Sequence, residues 1–335
     1  MKHEIRRCNN CLISETFPGI KLSDKGVCNL CENFKPEKNI QLIEANRKKI
    51  DAIILENKGK GVYDAIVSYS GGKDSSYTLW YLKKKHDLNI LALLIDNGFV
   101  SNQTWENARI LTDRLNVDLV IFKPDSEFMH KMYKISIKED DLYELSQLTR
   151  ANAICLSCIT LISNITLNEA IIRKIPMIAG GYIHGQMPAA GGVLRTGDRM
   201  FQLFREKNRK YLALKIDKKI NRYMPINGPS GDREYPVIIN PMLGVEYDEK
   251  KILRTISGYG WRKPSDTGLS SSNCQLNDYA IAVHYQKYKY HSYESEICMQ
   301  IRKGLLSKKD ALLKLTDIRS PDTFTDIISK LNQGR

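Results

Sequence analysis

The sequence predicts an α/β fold: a doubly wound parallel sheet, with a small cysteine-rich module before it and a helical region after it. Three observations predict this. Short, almost wholly apolar β-prone runs alternate with runs of helical period, the pattern of parallel strands covered on both faces. At one strand-to-helix corner, "SYSGGKDSS" crowds two glycines, a lysine, an aspartate and several serines between the two periods. Two CxxC pairs precede both.

Taken in order, residues 1–36 form the cysteine-rich module. Cys8 and Cys11, then Cys28 and Cys31, stand sixteen residues apart as pairs, the C-x2-C-x(15–20)-C-x2-C spacing of a zinc site. Four thiolates can close a tetrahedral shell, and so short a module has little core, so the metal supplies much of its folding energy. A redox pair is the alternative. The expectation is a separate metal-dependent unit that is architectural or presents a partner. Residues 37–60 ("NIQLIEANRKKIDAIILENKGKG") read as an amphipathic linker helix ended by Gly-Lys-Gly.

Residues 61–245 form the main domain. "YDAIVSYS", "NILALLIDNG", "DLVIFKPD" and "IPMIAGGYI" read as strands, with "SSYTLWYLKKKH", "TWENARILTDRLN" and "TLISNITLNEAIIRK" as helices between them. In such a sheet ligands sit beyond the carboxyl ends of the strands. There the glycine corner, Asp96 with Asn97 and Gly98, and Gly180 with Gly181 and His184 should meet. His184 is a candidate nucleotide or substrate contact, or a hydrogen-bonded loop histidine. Residues 190–245, rich in Gly, Arg, Asn and Pro, suggest irregular loops forming a lid. Residues 246–335 return to helical period, interrupted by "GYGWRKPSDTGLSSSNCQLND". Cys298 reads as a plain core residue.

The corner carries the chemistry. A glycine turn opening a helix presents unsatisfied N–H groups and the positive end of the helix dipole to an anion, so it is a candidate phosphate cradle. A capped turn of purely structural purpose is the alternative. It is not a Walker loop, because the G-x-x-x-x-G-K-[ST] spacing is absent. Ser70, Gly71, Gly72, Lys73, Asp74 and Ser75 instead resemble the SGGxDS signature of the PP-loop ATP pyrophosphatase superfamily. That resemblance implies ATP cleaved between the α- and β-phosphates and AMP passed to a carbonyl or amide oxygen. It implies cofactor contacts from Ser70, Gly71, Gly72, Ser75 and Ser76, charge from Lys73 as pyrophosphate leaves, and Asp74 placing Mg²⁺ or the loop.

Two further resemblances imply different second steps. "RRCNNCLISETFPGIKLSDKGVCNLC", the "GW" pair and "GLLSKKDALLKL" are similar to N-acetyl sugar amidotransferases, which implies ammonia, with a glutaminase as its source, converting an acetamido group to an acetamidino group. A third CxxC, Cys155 and Cys158, about eighty-five residues after Ser70, with Cys274 beyond, resembles the tRNA thiolation enzymes. That implies a 4Fe-4S cluster on three thiolates with one iron open to sulfur. Two buried helical cysteines are the alternative, and the chain has "GGYIHGQMP" where the thiolation enzymes carry a GHxxDD-type stretch.

Composition bounds the partners. A net charge of +13 and a pI near 9.2 over 335 residues suit a polyanionic ligand, or a solvated lysine-rich surface. Eight cysteines in a chain read as cytoplasmic, with no signal peptide and no apolar run expected to span a membrane, favour metal over disulfides. The sequence reading is an ATP-dependent adenylating transferase with catalytic Lys73, Asp74, Cys155, Cys158 and Cys274. Its cofactors are ATP, Mg, Zn and the cluster, and its acceptor is an RNA base or a small molecule such as a sugar or amide. Sulfur transfer is favoured over ammonia, and the remaining alternative is a non-catalytic zinc and ATP binder. A homodimer is left open.

Overall fold

The computed structural model describes residues 5–188, 190–224 and 234–333. Strands β1 (Ala65–Ser68), β2 (Ile90–Ile95), β3 (Asp118–Phe122), β4 (Met177–Ala179), β5 (Val193–Arg195) and β6 (Val237–Ile239) form one sheet in the order β3-β2-β1-β4-β6-β5. All pairs are parallel except β5 with β6. From β1 the chain winds outward through β2 and β3, then returns to lay β4 on the other side of β1. The β1/β4 boundary is therefore the switch point, where a crevice opens at the carboxyl ends.

The helices follow in chain order. Short α1 (Asn29–Glu32) carries Cys31, and α2 (Pro36–Asn57) leads into the sheet. Between strands come α3 (Lys73–His86), α4 (Asn102–Leu115), α5 (Ser126–Lys138), short α6 (Leu145–Leu148) and α7 (Ala153–Ile172). Then follow α8 (Arg199–Lys215), α9 (Glu249–Gly258), α10 (Leu276–Tyr288), α11 (Glu294–Arg302), α12 (Lys308–Thr316) and α13 (Thr325–Asn332).

Why the sheet is covered on both faces is visible in β2. Its six side chains are all buried, and they alternate by the period-two rule. Leu91, Leu93 and Ile95 pack with Met132 and Tyr133 of α5 and Ile165 of α7, whereas Ile90, Ala92 and Leu94 pack with Ile54 of α2, Leu82 of α3 and Leu111 of α4. Each fully buried aliphatic side chain contributes about 1.5–3 kcal/mol. The ends of β1 and β2 are thus held on both faces.

Three expectations are corrected. The stretch 190–245 is not a run of irregular loops: β5, the seventeen-residue α8 and β6 occupy it, and Gly197 sits in the turn between β5 and α8. The part of the expected lid at 225–233 lies outside the described residues. Helix α7, at twenty residues, is long and apolar enough to cross a membrane by length and composition, contrary to the sequence reading. More than half of it is buried, packed on α5, α10, β1 and β4, so it is a core helix. The cysteine-rich module is not a separate unit either. Cys8, Cys11, Ile13, Phe17 and Cys28 share one core with Tyr290, Ile297, Cys298, Ala311 and Leu315.

Candidate functional site

The corner after β1 folds as strand, turn, helix. Gly71 has φ +70°, and a β-carbon there would meet Thr104 at 2.6 Å, so only glycine fits. Gly72 is the extended residue before α3. Opposite, a β-carbon at Gly181 would stand 2.9 Å from Ser75 Cα. The two strand ends meet with no room to spare.

The turn's donors are already aimed. Ser70 Oγ and Ser75 Oγ lie 2.9 Å apart, Gly72 N–H donates to Ser70 Oγ at 3.3 Å, and Lys73 N–H donates to Ser272 Oγ at 2.9 Å. The indole N–H of Trp261 donates to Gly71 O at 3.0 Å and pins the turn from behind. Backbone N–H groups at a helix start whose partners are hydroxyls, not fixed carbonyls, are open to exchange for an anion's oxygens. Lys73 Nζ reaches Asp74 Oδ1 at 2.7 Å, the Tyr247 hydroxyl at 2.5 Å and Glu249 Oε1 at 3.5 Å. Burial works against its charge, but Asp74, Tyr247 and Glu249 outweigh it and hold the ammonium above its ordinary range.

Two cavities meet at Lys73 and Asp74. The first, about 310 Å³, runs from Ser70, Gly72 and Ser75 past Gly180 and Gly181 to Cys155, Cys158 and Cys274. The second, about 390 Å³, extends away under Tyr247, Trp261, Glu296 and Gln300. Residues 262–275 fold back over β2: Ser101 N–H donates to Asn273 O at 3.0 Å, and Gln275 N–H to Phe99 O at 2.9 Å. That return brings Cys274 to the CxxC pair on the first turns of α7.

The three thiols are served by amides and phenols. Asn97 Nδ2 donates to Cys274 Sγ at 3.5 Å and Cys158 Sγ at 3.9 Å, and the Tyr133 hydroxyl donates to Cys158 Sγ at 3.8 Å. Cys155 Sγ faces Asn277 Oδ1 at 3.7 Å and the Tyr293 hydroxyl at 3.9 Å. Burial, and then the charge of Cys274, push Cys155 up to about 12 and Cys158 up to about 11; burial raises Cys274 as well. Among the described residues no lysine or arginine bonds these sulfurs, and a metal cation would stabilise their thiolate forms. Asn277 Nδ2 is buried without a partner and lines the same cavity. An orphaned donor beside three thiols fits a ligand with acceptor sulfurs. Among the described residues only the N-terminal four sulfurs lie close enough to share a single ion.

That N-terminal set is compact: Cys8, Cys11, Cys28 and Cys31 hold their sulfurs within 4.8 Å of one another, three of them buried. Cys28 N–H donates to Cys8 Sγ at 3.2 Å, and Arg302 Nη1 donates to Cys11 Sγ at 3.1 Å. A bond from the Cys298 thiol, against the cost of burial, and then the Ile13 amide and Arg302 hold Cys11 down, to about 4. Burial and the Cys11 charge raise Cys31. One thiolate forms readily and its neighbours resist, the pattern a divalent cation relieves.

Other predicted residues fall elsewhere. His184 is buried, lines neither cavity, and is lowered to about 4 by burial and then Lys303. Asp96 accepts from Gly98 N–H at 2.9 Å and shapes the turn after β2, while Asn97 faces the sulfurs. Ser76 is fully buried and bonds Tyr69 at 3.3 Å. Sequence reasoning missed Ser272, Asn277, Tyr247, Tyr293, Gln186 and Glu296. Ser272 could have been found from its run beside Cys274; the others lie on helices and loops with no local pattern.

Sheet order, switch point and glycine turn agree with the SGGxDS resemblance read in the sequence. No family model matches the chain. The uncharacterized protein MJ1599 of Methanocaldococcus jannaschii is 25% identical over 317 residues, 94% of this chain and 95% of that protein. Among solved structures, the chain is similar to the U34-tRNA thiolase NcsA from Methanococcus maripaludis with its 4Fe-4S cluster, at 14% identity and TM-score 0.37, covering 83% of this chain and 82% of that one. It is also similar to the NMN synthetase from Francisella tularensis, at 12% identity and TM-score 0.37, covering 83% and 97%.

Proposed function

We propose that this protein is an ATP-dependent adenylating enzyme that transfers sulfur to a carbonyl or amide carbon, using a 4Fe-4S cluster held by Cys155, Cys158 and Cys274. One observation supports it above the rest: thiols from two segments more than a hundred residues apart share a cavity wall with the Ser70–Ser75 turn. When bound, the cluster supplies an iron without a protein ligand, where a sulfur donor can attach.

The chain's own residues do the following. The N–H groups of Gly72 and Lys73, with Ser70 and Ser75, receive the β- and γ-phosphates of ATP, and Lys73 stabilises the charge that builds on departing pyrophosphate. Asp74, at the junction of the two cavities, places Mg²⁺. The acceptor oxygen attacks the α-phosphorus, pyrophosphate leaves, and the acceptor carbon now carries AMP as a good leaving group. Sulfide takes that carbon and AMP departs with the oxygen. The N-terminal four thiols hold a structural zinc.

The test is anaerobic purification followed by iron and zinc analysis. Expected are about four irons and one zinc per chain, with AMP and pyrophosphate formed from ATP when acceptor and sulfide are supplied. A colourless, iron-free protein fully active with ammonia overturns the sulfur reading in favour of an amidotransferase.

A further inference from the structure

Helices α11 and α12 pack against the N-terminal sulfur site and also line the larger cavity. Toward the N-terminal site, Glu294 is fully buried: its Oε1 accepts from Ser14 N–H at 2.5 Å and pairs with Arg7 at 3.1 Å, and its Oε2 accepts from His291 N–H at 3.1 Å. One and two turns on, Cys298 packs in the same core as Cys11, and Arg302 Nη1 donates to Cys11 Sγ at 3.1 Å. From α12, Ala311 and Leu315 pack in the same core, and Lys308 Nζ donates to Asn9 O at 2.6 Å.

The opposite faces build the cavities. Tyr293, immediately before α11, lines both, and its hydroxyl donates to Asn277 Oδ1 at 2.7 Å while facing Cys155. Glu296 accepts from Gln186 Nε2 at 3.1 Å, tying α11 to the loop after β4. Gln300, Leu313 and Lys314 complete this wall of the larger cavity. A β-carbon at Gly185 would come within 2.8 Å of Glu296 Cα, so loop and helix are in direct contact there.

We infer that the N-terminal four-thiolate metal site positions the wall of the larger cavity, which adjoins the phosphate turn at Lys73 and Asp74, through α11 and α12, with Glu294 and Arg302 as the positioning residues. The physical reason is shared foundation. The module contributes few core side chains beyond Ile13 and Phe17, so its shape depends on the metal. If the metal leaves, the module no longer holds Cys11 against Arg302, and the buried carboxylate of Glu294 loses its fixed partners Ser14 and Arg7, which destabilises its position. Glu296 on α11 and Tyr293 just before it then lose their register against Gln186 and Asn277. Packed elements of this kind shift between discrete arrangements and do not bend continuously. The ligand affected is the nucleotide of the proposed reaction, so this inference rests on that reading.

The experiment uses the full-length protein with zinc bound, and the same protein stripped by chelator and checked by elemental analysis. Hydrogen exchange is followed over residues 290–316 and over the strands, and Mg-ATP affinity is measured by calorimetry. Stripping should raise exchange over 290–316 while the strands stay protected, and weaken Mg-ATP binding about tenfold or more; added zinc should restore both. Glu294→Ala should weaken Mg-ATP with zinc still bound, and Glu294→Gln, which keeps a bond to Ser14 N–H, should recover much of it. This pair decides the matter if the stripped protein unfolds throughout. Unchanged affinity in stripped protein with loosened 290–316, or no loosening there, overturns the coupling. Fully metallated protein that binds no Mg-ATP refutes the ATP reading instead, and the exchange result then decides the coupling alone.

Discussion

The molecule has two cysteine sites, and they differ in what surrounds the sulfur. The N-terminal four are packed within 4.8 Å of one another, with backbone amides and Arg302 pointing at them and a hydrophobic core around them. The three at Cys155, Cys158 and Cys274 are spread along a cavity, attended by side-chain amides and phenols and open toward the glycine turn. A closed shell serves folding, and an incomplete one beside a substrate cavity serves chemistry. On the proposed reading, the same residue type at the same CxxC spacing serves two uses, set by its neighbours.

Breaking one ligand in each site should therefore give opposite results. Cys8→Ser or Cys11→Ser should lose the N-terminal metal and destabilise the C-terminal core as well. The loss is on the order of 5 kcal/mol, a fraction of what structural zinc supplies to isolated fingers. Thermal melting with elemental analysis checks this, and a variant that keeps both its melting point and its metal would show the four thiols to be inert. Lys73→Ala should fold, because its side chain fills no core, yet lower pyrophosphate release about 10²–10³-fold, as loss of one transition-state donor does. Serine at Cys155, Cys158 or Cys274 should leave stability and ATP cleavage near normal while bleaching the broad absorbance at about 400 nm expected of an iron-sulfur site. Colour retained in all three variants would place any iron elsewhere.

How far the sequence anticipated this follows from how local each signal is. Apolar runs fixed the strands β1 to β4 because buried parallel strands need little more than continuous hydrophobicity. β5 and β6 escaped notice, since three-residue strands among glycines and prolines leave no period to read. The glycine turn and both sets of cysteines were legible because their chemistry depends on spacing. That Cys274 joins Cys155 and Cys158 was an expectation drawn from resemblance; the fold-back of 262–275 places Cys274 on the same cavity wall, where Asn97 bonds both Cys274 and Cys158. His184 misled because a glycine-rich strand end is not sufficient: the side chain turned inward and is buried. Tyr293 and Glu296 sit on a helix whose sequence reads as an ordinary amphipathic segment, and only tertiary packing gives them a cavity to face.

Glu296 offers the finest test of how the two sites share a wall. Its carboxyl accepts bonds from Gln186 and Gln300, with no cation in bonding range among the described residues. Burial, opposed by the Gln186 bond and reinforced by Asp74, raises it to about 7. Asp74 from α3 and Asp310 from α12 share the cavity with it, as do Lys73 and Lys314. The folded state therefore holds a proton that the unfolded chain releases near pH 4.5. Between about 4.5 and 7 the folded protein binds more protons, so stability from this group is complete at the acid end of that window and is lost as pH rises through it. The loss is on the order of 3 kcal/mol. Glu296→Gln removes the titration, so its stability relative to the parent should improve from pH 4.5 to pH 8 in urea melts, by about that amount. In metal-stripped protein the difference should shrink, because a displaced α11 lets water reach the carboxyl and its proton affinity returns toward the ordinary range. Equal pH slopes in variant and parent would show that Glu296 is solvated in the folded state, and that this wall of the cavity is looser than its hydrogen bonds imply.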